Sequence, residues 1–154
     1  MNYQDWLPLF GLPATDPKVI AALAANGVTA PVTLPPETSA TGIDFKPHGY
    51  GVGFTSEFTL RAGVAGLPIL SSVVIKTIPN KNAKGWTPYS GALPHGLTKN
   101  DSKDVALTKL GKPAVLSDAF FSGRWEIDGI DLGVSFSDDW QKIKQLGLSL
   151  PGSR

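Results

Sequence analysis

The stretch "GLPATDPKVIAALAANGVTA", Gly11 to Ala30, has a counterpart in "GLTKNDSKDVALTKLGKPA", Gly96 to Ala114. Each opens with Gly-Leu, reaches an Asp-x-Lys triplet, carries an apolar-rich run and stops at a glycine. Asp16 is a good helix cap with Pro17 at the first helical position, and Gly27 closes the helix. In the second copy Asp101 or Ser102 caps, Val105, Ala106, Leu107 and Leu110 supply the apolar stripe, and Gly111 and Pro113 end it. Each helix has only about three turns, so it depends on tertiary packing.

A second match follows in the same order. "YGVGFTSE", Tyr50 to Glu57, aligns with "LGVSFSDD", Leu132 to Asp139, pairing Gly51 with Gly133, Val52 with Val134 and Phe54 with Phe136. Both alternate as strands do, with Val52 and Phe54 on one face and Gly51, Gly53 and Thr55 on the other. The tails Thr55-Ser56-Glu57 and Ser137-Asp138-Asp139 are expected to turn. A shorter strand precedes each, Ile43 to Phe45 and Arg124 to Asp128, and another follows, Leu70 to Ile78 and Ile143 to Leu150. Asp128-Gly129 is a hairpin signal.

The expected fold is therefore α+β: two tandem helix-plus-three-antiparallel-strand repeats, joined into one sheet of about six strands with the helices on one face. One helix and three strands bury too little alone. The chain of 154 residues reads as a single domain, with halves at about 6–79 and 90–151 and a central loop at Pro79 to Pro94. Phe54, Phe136, Trp125, Ile127, Leu132, Leu146, Leu148 and Leu150 are expected in the core. Gly51, Gly53, Gly133, Ser135, Arg124 and Glu126 would then show on the other face as a shallow concavity.

Composition narrows the function. Hydrophobic residues make up 42 % and charged residues 18 %, enough for a real core. A net charge of +1 gives no global field for nucleic acid or anionic membranes. No apolar run approaches the roughly 20 residues of a membrane span. "MNYQDWLPLF" has no secretory signature, and there are no cysteines, so a cytoplasmic protein without disulfides or thiolate sites is expected.

Catalytic constellations are sparse. His48 and His95 each sit beside Pro and Gly in turns, without metal-ligand spacing. Gly49, Gly51 and Gly53 fall inside an alternating strand, which a phosphate loop does not. The carboxylates Asp138-Asp139, Asp128/Asp131 and Glu57 lie at strand ends and read as turn residues. Lys76, Lys81 and Lys84 with Trp86 and Tyr89 read as a solvated loop rather than a nucleic-acid patch. No cofactor is expected.

The motifs together, Gly11-Leu12-Pro13, Asp16-Pro17, Tyr89-x-Gly91-x-Leu93-Pro94-x-Gly96-Leu97, Leu110-Gly111-x-Pro113 and Arg124-Trp125-x-x-Asp128-Gly129, carry a resemblance. The chain resembles small bacterial proteins of the immunity type, found beside polymorphic and type VI secretion toxins. Its layout is similar to the beta-lactamase-inhibitor-protein architecture, although the first hairpin loop, Phe58 to Leu67, is longer than that layout implies. The resemblance implies a non-enzymatic binding protein that neutralises a cognate toxin or effector by occluding its active site or substrate surface. The other reading is a structural or assembly adaptor of a secretion or envelope system. Neither involves nucleic acid or membrane, and a homodimer is compatible with both. Binding energy concentrates in aromatic and Arg anchors, which nominates Trp86, Tyr89, Arg124 and Trp140, with the acidic pair Asp138 and Asp139 beside Trp140.

Overall fold

Both helices begin at their caps. In the computed structural model, which describes residues 2–34, 40–56, 67–78 and 85–151, Asp16 Oδ1 accepts from the Lys18 amide at 2.8 Å and α1 runs Pro17–Ala25. Ser102 Oγ accepts from the Val105 amide at 3.3 Å and α2 runs Lys103–Leu110. The glycines that end them, Gly27 and Gly111, hold φ of 81° and 83°, which a side chain would strain.

Among the described residues seven strands lie between and after the helices: β1 Ala40–Phe45, β2 Tyr50–Ser56, β3 Pro68–Lys76, β4 Val115–Ser117, β5 Ser122–Ile127, β6 Ile130–Phe136 and β7 Ile143–Ser149. They form one sheet in the order β1-β2-β3-β7-β6-β5-β4, and every pairing is antiparallel. The fold is α+β, as expected, but the sheet has seven strands rather than about six. The addition is β4, three residues that pair with β5 after the turn ending α2. Asp128 and Gly129 make the β5–β6 turn with φ of 55° and 76°, the left-handed pair that a two-residue hairpin requires. Among the described residues no helix is long and apolar enough to cross a membrane.

Register sorts the two faces. One row reads Phe45, Tyr50, Ile75, Leu146 and Val134 across the sheet; the next reads Ile43, Val52, Val73, Leu148, Leu132 and Trp125. These residues join Val19, Ala22 and Leu23 of α1 and Ala106 of α2 in one core, so both helices lie on this face. The Trp125 Nε1–H donates to the Gly111 carbonyl at 2.9 Å, tying the end of α2 to β5. Phe54, Phe136, Trp125, Leu132, Leu146 and Leu148 are buried as expected. Ile127 and Leu150 are only half-buried, because one ends β5 at its turn and the other lies past the end of β7.

Two further differences have local causes. Thr55 and Ser56 do not turn: they continue β2 and are buried, with Thr55 Oγ1 and Ser71 Oγ sharing a hydrogen bond of 2.6 Å. Glu57 lies outside the described residues, as do Lys81, Lys84 and most of the long first hairpin loop. The start of the chain also belongs to the core. Short 3-10 turns at Tyr3–Asp5 and Leu7–Leu9 fold Tyr3 and Trp6 onto the sheet, where Trp6 Nε1–H donates to Tyr50 Oη at 3.1 Å.

The ladders of the two halves have matching details. The β2–β3 register shifts between Gly53 and Phe54, and the β6–β7 register shifts between Ser135 and Phe136. The triple Phe45–Tyr50–Ile75 in one half stands where Trp125–Leu132–Leu148 stands in the other. At the β3–β7 seam Ile75 pairs with Leu146 and Val73 with Leu148, on either side of Val74 opposite Gly147.

Candidate functional site

The helices cover one face, so the other is set by the alternate residues of each strand. Its central row runs Asp44, Gly51, Val74, Gly147, Gly133, Arg124, Val115. The row on one side reads Gly42, Gly53, Ser72, Ser149, Asp131, Glu126; the row on the other reads Lys76, Gln145, Ser135, Ser122, Ser117. Near the β2–β3 end this face is closed, since Thr55, Ile69 and Ser71 are buried. The β4–β7 half is open. There a concavity of about 450 Å³ has Gly147 and Gly133 at its floor and Val115, Arg124, Gln145 and the serines 117, 122 and 135 around it.

Glycines on this face are there for two different reasons. A Cβ on Gly51 would come within 2.9 Å of Asp44 Oδ1 and the Ile43 carbonyl, and one on Gly53 would run into Ser72 Oγ. Packing requires both. A Cβ on Gly147 would meet nothing within 4 Å, and its φ is not in the left-handed region. A glycine inside a strand weakens it, so the fold itself gains nothing from Gly147.

Charge on the floor is ordered by Arg124. Its Nη1 lies 3.1 Å from Glu126 Oε1 and 3.5 Å from Asp131 Oδ1, the latter on a buried side chain. The guanidinium is thereby pinned against the sheet, with an excess of acid around it. Arg124, nominated from the sequence as an anchor, lies in the concavity.

The other nominated residues scatter. Trp86 is half-buried, with Lys76 Nζ 4.5 Å from its ring centroid, which sets it against the far end of the bare face. Tyr89 packs on the helix-bearing side, edge-on to Tyr3 at 5.5 Å and Tyr50 at 6.3 Å. Burial raises the pKa of all three phenols. Trp140 holds φ 63° and folds back on the sheet end, 5.5 Å from Phe136 and 5.4 Å from Phe121, with Lys103 Nζ 4.8 Å over its ring. Its carbonyl accepts from the Lys103 amide at 2.9 Å, so it fastens the β6–β7 turn to the start of α2. Asp138 and Asp139 are exposed in that turn. The Ser137 hydroxyl and the Gln141 amide hold the Asp139 carboxyl below its usual range. These six residues therefore do not form one patch.

His48 and His95 are exposed, His48 closing the short turn Lys46–His48 and His95 at φ 57° in the turn Pro94–Gly96. Among the described residues no three His, Asp or Glu side chains come close enough to hold a metal ion. Residues of the concavity absent from the expected bare face are Gln145, Gly147, Val115 and the serines 117 and 122. The first two were readable, because Gln145, Gly147 and Ser149 alternate with Leu146 and Leu148. Val115 was not, since a three-residue strand has no period to read. No protein-family model, no curated protein and no solved structure matches the chain.

Proposed function

We propose that this chain is a non-enzymatic binding protein that neutralises a cognate bacterial toxin by occluding its active site or substrate surface, using the open half of its sheet. The resemblance of its turns and caps to immunity-type proteins supports the class, and the concavity is the surface this reading assigns to the partner. The observation that carries the choice of surface is Gly147: a mid-strand glycine with free space above it, at the floor of a concavity lined by Arg124 and Gln145. Strand propensity favours a larger residue there. Room for a partner's protruding side chain is a reason to keep it small.

The finer fold expectation belongs to the same proposal. The two halves are copies of one helix-plus-three-strand unit, about 6–79 and 90–151, to which the second has added β4. Support comes from the two register shifts at Gly53/Phe54 and Ser135/Phe136, and from a β3–β7 seam whose pairs exchange under a two-fold through Val74 and Gly147. Such a seam puts Gly147 on β7, the central strand of the seven.

The test is a toxicity-rescue assay against the product of the adjacent gene. Gly147→Tyr fills the concavity and should lose protection while its circular dichroism and melting temperature match or exceed the parent's. Gly147→Ala should still protect. If Gly147→Tyr protects fully while Ala variants at Trp86, Tyr89, Asp138, Asp139 or Trp140 fail, the partner uses the loops and turns instead.

A further inference from the structure

The two outer hairpins of the sheet differ in what covers them. In one, the Phe136 amide donates to the Phe121 carbonyl at 2.7 Å. Backbone groups alternate along an antiparallel strand. Those of Gly123 and Trp125 therefore turn toward β6, and those of Ser122 and Arg124 turn outward, where Ser117 and Val115 of β4 stand opposite them. The Ala114 amide also donates to the Arg124 carbonyl, at 2.8 Å. In the other hairpin the Lys76 amide donates to the Gly49 carbonyl at 2.8 Å, so the backbone groups of Gly51 turn toward β3 and those of Tyr50 and Val52 toward β1. Their partners Phe45 and Ile43 turn inward, and Gly42 and Asp44 turn outward. Gly42 and Asp44 hold the places of Ser122 and Arg124, since Phe45 stands opposite Tyr50 as Trp125 stands opposite Leu132. Here no strand covers them. Residues 28–34 after α1 form no strand, and Pro31, as far past Gly27 as Val115 is past Gly111, has no N–H to give. Gly42 and Asp44 are exposed, and their amides and carbonyls have no hydrogen-bond partner among the described residues. The open stretch stops at Lys46, whose carbonyl accepts from the Thr87 amide at 2.9 Å.

We propose that the β1 edge takes an extended segment of a protein partner as an added antiparallel strand, with a basic residue opposite Asp44 and an apolar residue opposite Ile43. Strand addition to an exposed sheet edge draws affinity from main-chain hydrogen bonds and selectivity from alternate side chains. β4 displays the geometry at the other edge. There Leu116 stands opposite Gly123 on the helix-bearing face, its Cδ1 3.4 Å from where a Gly123 Cβ would lie. The corresponding place on β1 belongs to Ile43, half-buried against the core, which an apolar side chain would cover. The basic residue follows from Asp44, which is exposed and has no ion-pair partner among the described residues. Opposite charges directly across a ladder attract. The same charge argues against a second copy of the chain. Any antiparallel pairing of β1 with itself that joins the outward groups sets Asp44 opposite Ala40, Gly42 or Asp44 of the second copy, and none of these is a cation. Lys46 cannot serve, because it begins the turn Lys46–His48 and its carbonyl is taken. The β1 edge lies at the opposite end of the sheet from the concavity and is independent of it.

Amide-resolved NMR of the full chain tests it with the synthetic peptide acetyl-Thr-Lys-Val-Ser-Val-Thr-amide, in which Lys meets Asp44 and the first Val meets Ile43. In the free chain, solvent exchange should be fast at the Gly42 and Asp44 amides and slow at those of Ile43 and Phe45. The peptide should shift and protect the Gly42 and Asp44 amides, with a dissociation constant on the order of 1 mM. The same peptide with Glu in place of Lys should bind about fivefold more weakly, and Asp44→Lys should reverse that preference. Gly42→Pro removes one outward N–H at a position an edge strand tolerates; it should melt near the parent and weaken the peptide about tenfold. Asp44→Lys alters only an exposed side chain and decides the matter where the proline variant melts low. Slow exchange at Gly42 and Asp44 in the dilute free chain, no shift of their amides at about 5 mM peptide, shifts at Leu116 instead, or equal affinity for the two peptides would each overturn the proposal. Protection of Gly42 and Asp44 that grows with protein concentration alone would assign the edge to a second copy and overturn it equally.

Discussion

Replacing Trp125 by alanine removes the largest side chain at the junction of β5 and α2. The indole is buried, it covers Gly123 so closely that a Cβ there would lie 2.6 Å from the ring, and its N–H holds the Gly111 carbonyl at 2.9 Å. Truncating a buried Trp costs about 3–5 kcal/mol through lost transfer energy and the cavity left behind. The orphaned Gly111 carbonyl adds little, because Gly111 is exposed and water can replace the donor. With a urea slope of about 2 kcal/mol per molar, a loss of about 4 kcal/mol moves the midpoint down by about 2 M. That is a large share of the roughly 5–15 kcal/mol that holds a domain together. Trp125→Phe keeps most of the ring and should fall between parent and alanine variant. A urea titration by far-ultraviolet circular dichroism measures both. A Trp125→Ala midpoint within about 0.5 M of the parent, equivalent to about 1 kcal/mol, would show that the β5–α2 junction is not part of the cooperative core.

Glycine substitutions should divide by sign. Gly147→Val fills open space on a strand and should raise stability by up to about 1 kcal/mol, whereas Gly53→Val meets Ser72 and should lower it; thermal melts distinguish the two. Stability should also fall at low pH through Asp101. Burial pushes its pKa up, but hydrogen bonds from Lys109 Nζ and from the Thr98 amide and hydroxyl outweigh burial and leave it lowered. Its contribution is complete above the ordinary carboxylate value near 4 and is lost as pH falls through the lower native value, so Asp101→Asn should flatten the acid limb of stability against pH. At the alkaline end the buried phenols of Tyr3 and Tyr50 and the half-buried phenol of Tyr89 act in the other direction. Their raised pKa values mean that stability declines once pH passes about 10, where unfolded tyrosines ionise, and tyrosinate absorbance in the native protein should lag behind that of the unfolded chain.

Local chemistry was the legible part of this sequence. Asp16-Pro17 and Ser102 mark where helices start, Asp128-Gly129 marks a hairpin, and the alternation of Val52 with Phe54 and Val134 with Phe136 assigns a face. Each signal is carried by a few neighbouring residues. Tyr3 and Trp6 were not legible as core, because their burial depends on docking against Tyr50, far along the chain. The same holds for Trp140, whose ring packs against Phe136 and Phe121 although nothing in the turn's own residues decides between that and an exposed position. For the site, Arg124 was readable as a bare-face residue from the alternation of β5. The concavity needed the order of strands, which places β5, β6 and β7 side by side and β4 beyond them.

Calorimetric titration of the proposed partner, the purified product of the adjacent gene, with the parent and with Gly147→Tyr is the direct test of the proposed binding surface. The parent should bind, and the filled concavity should weaken binding by about a hundredfold or more, a loss of the size seen when the centre of an interface is disrupted, with Trp140→Ala held within about fivefold. Binding by Gly147→Tyr within about threefold of the parent, in a protein that melts at the parent's temperature, would contradict it.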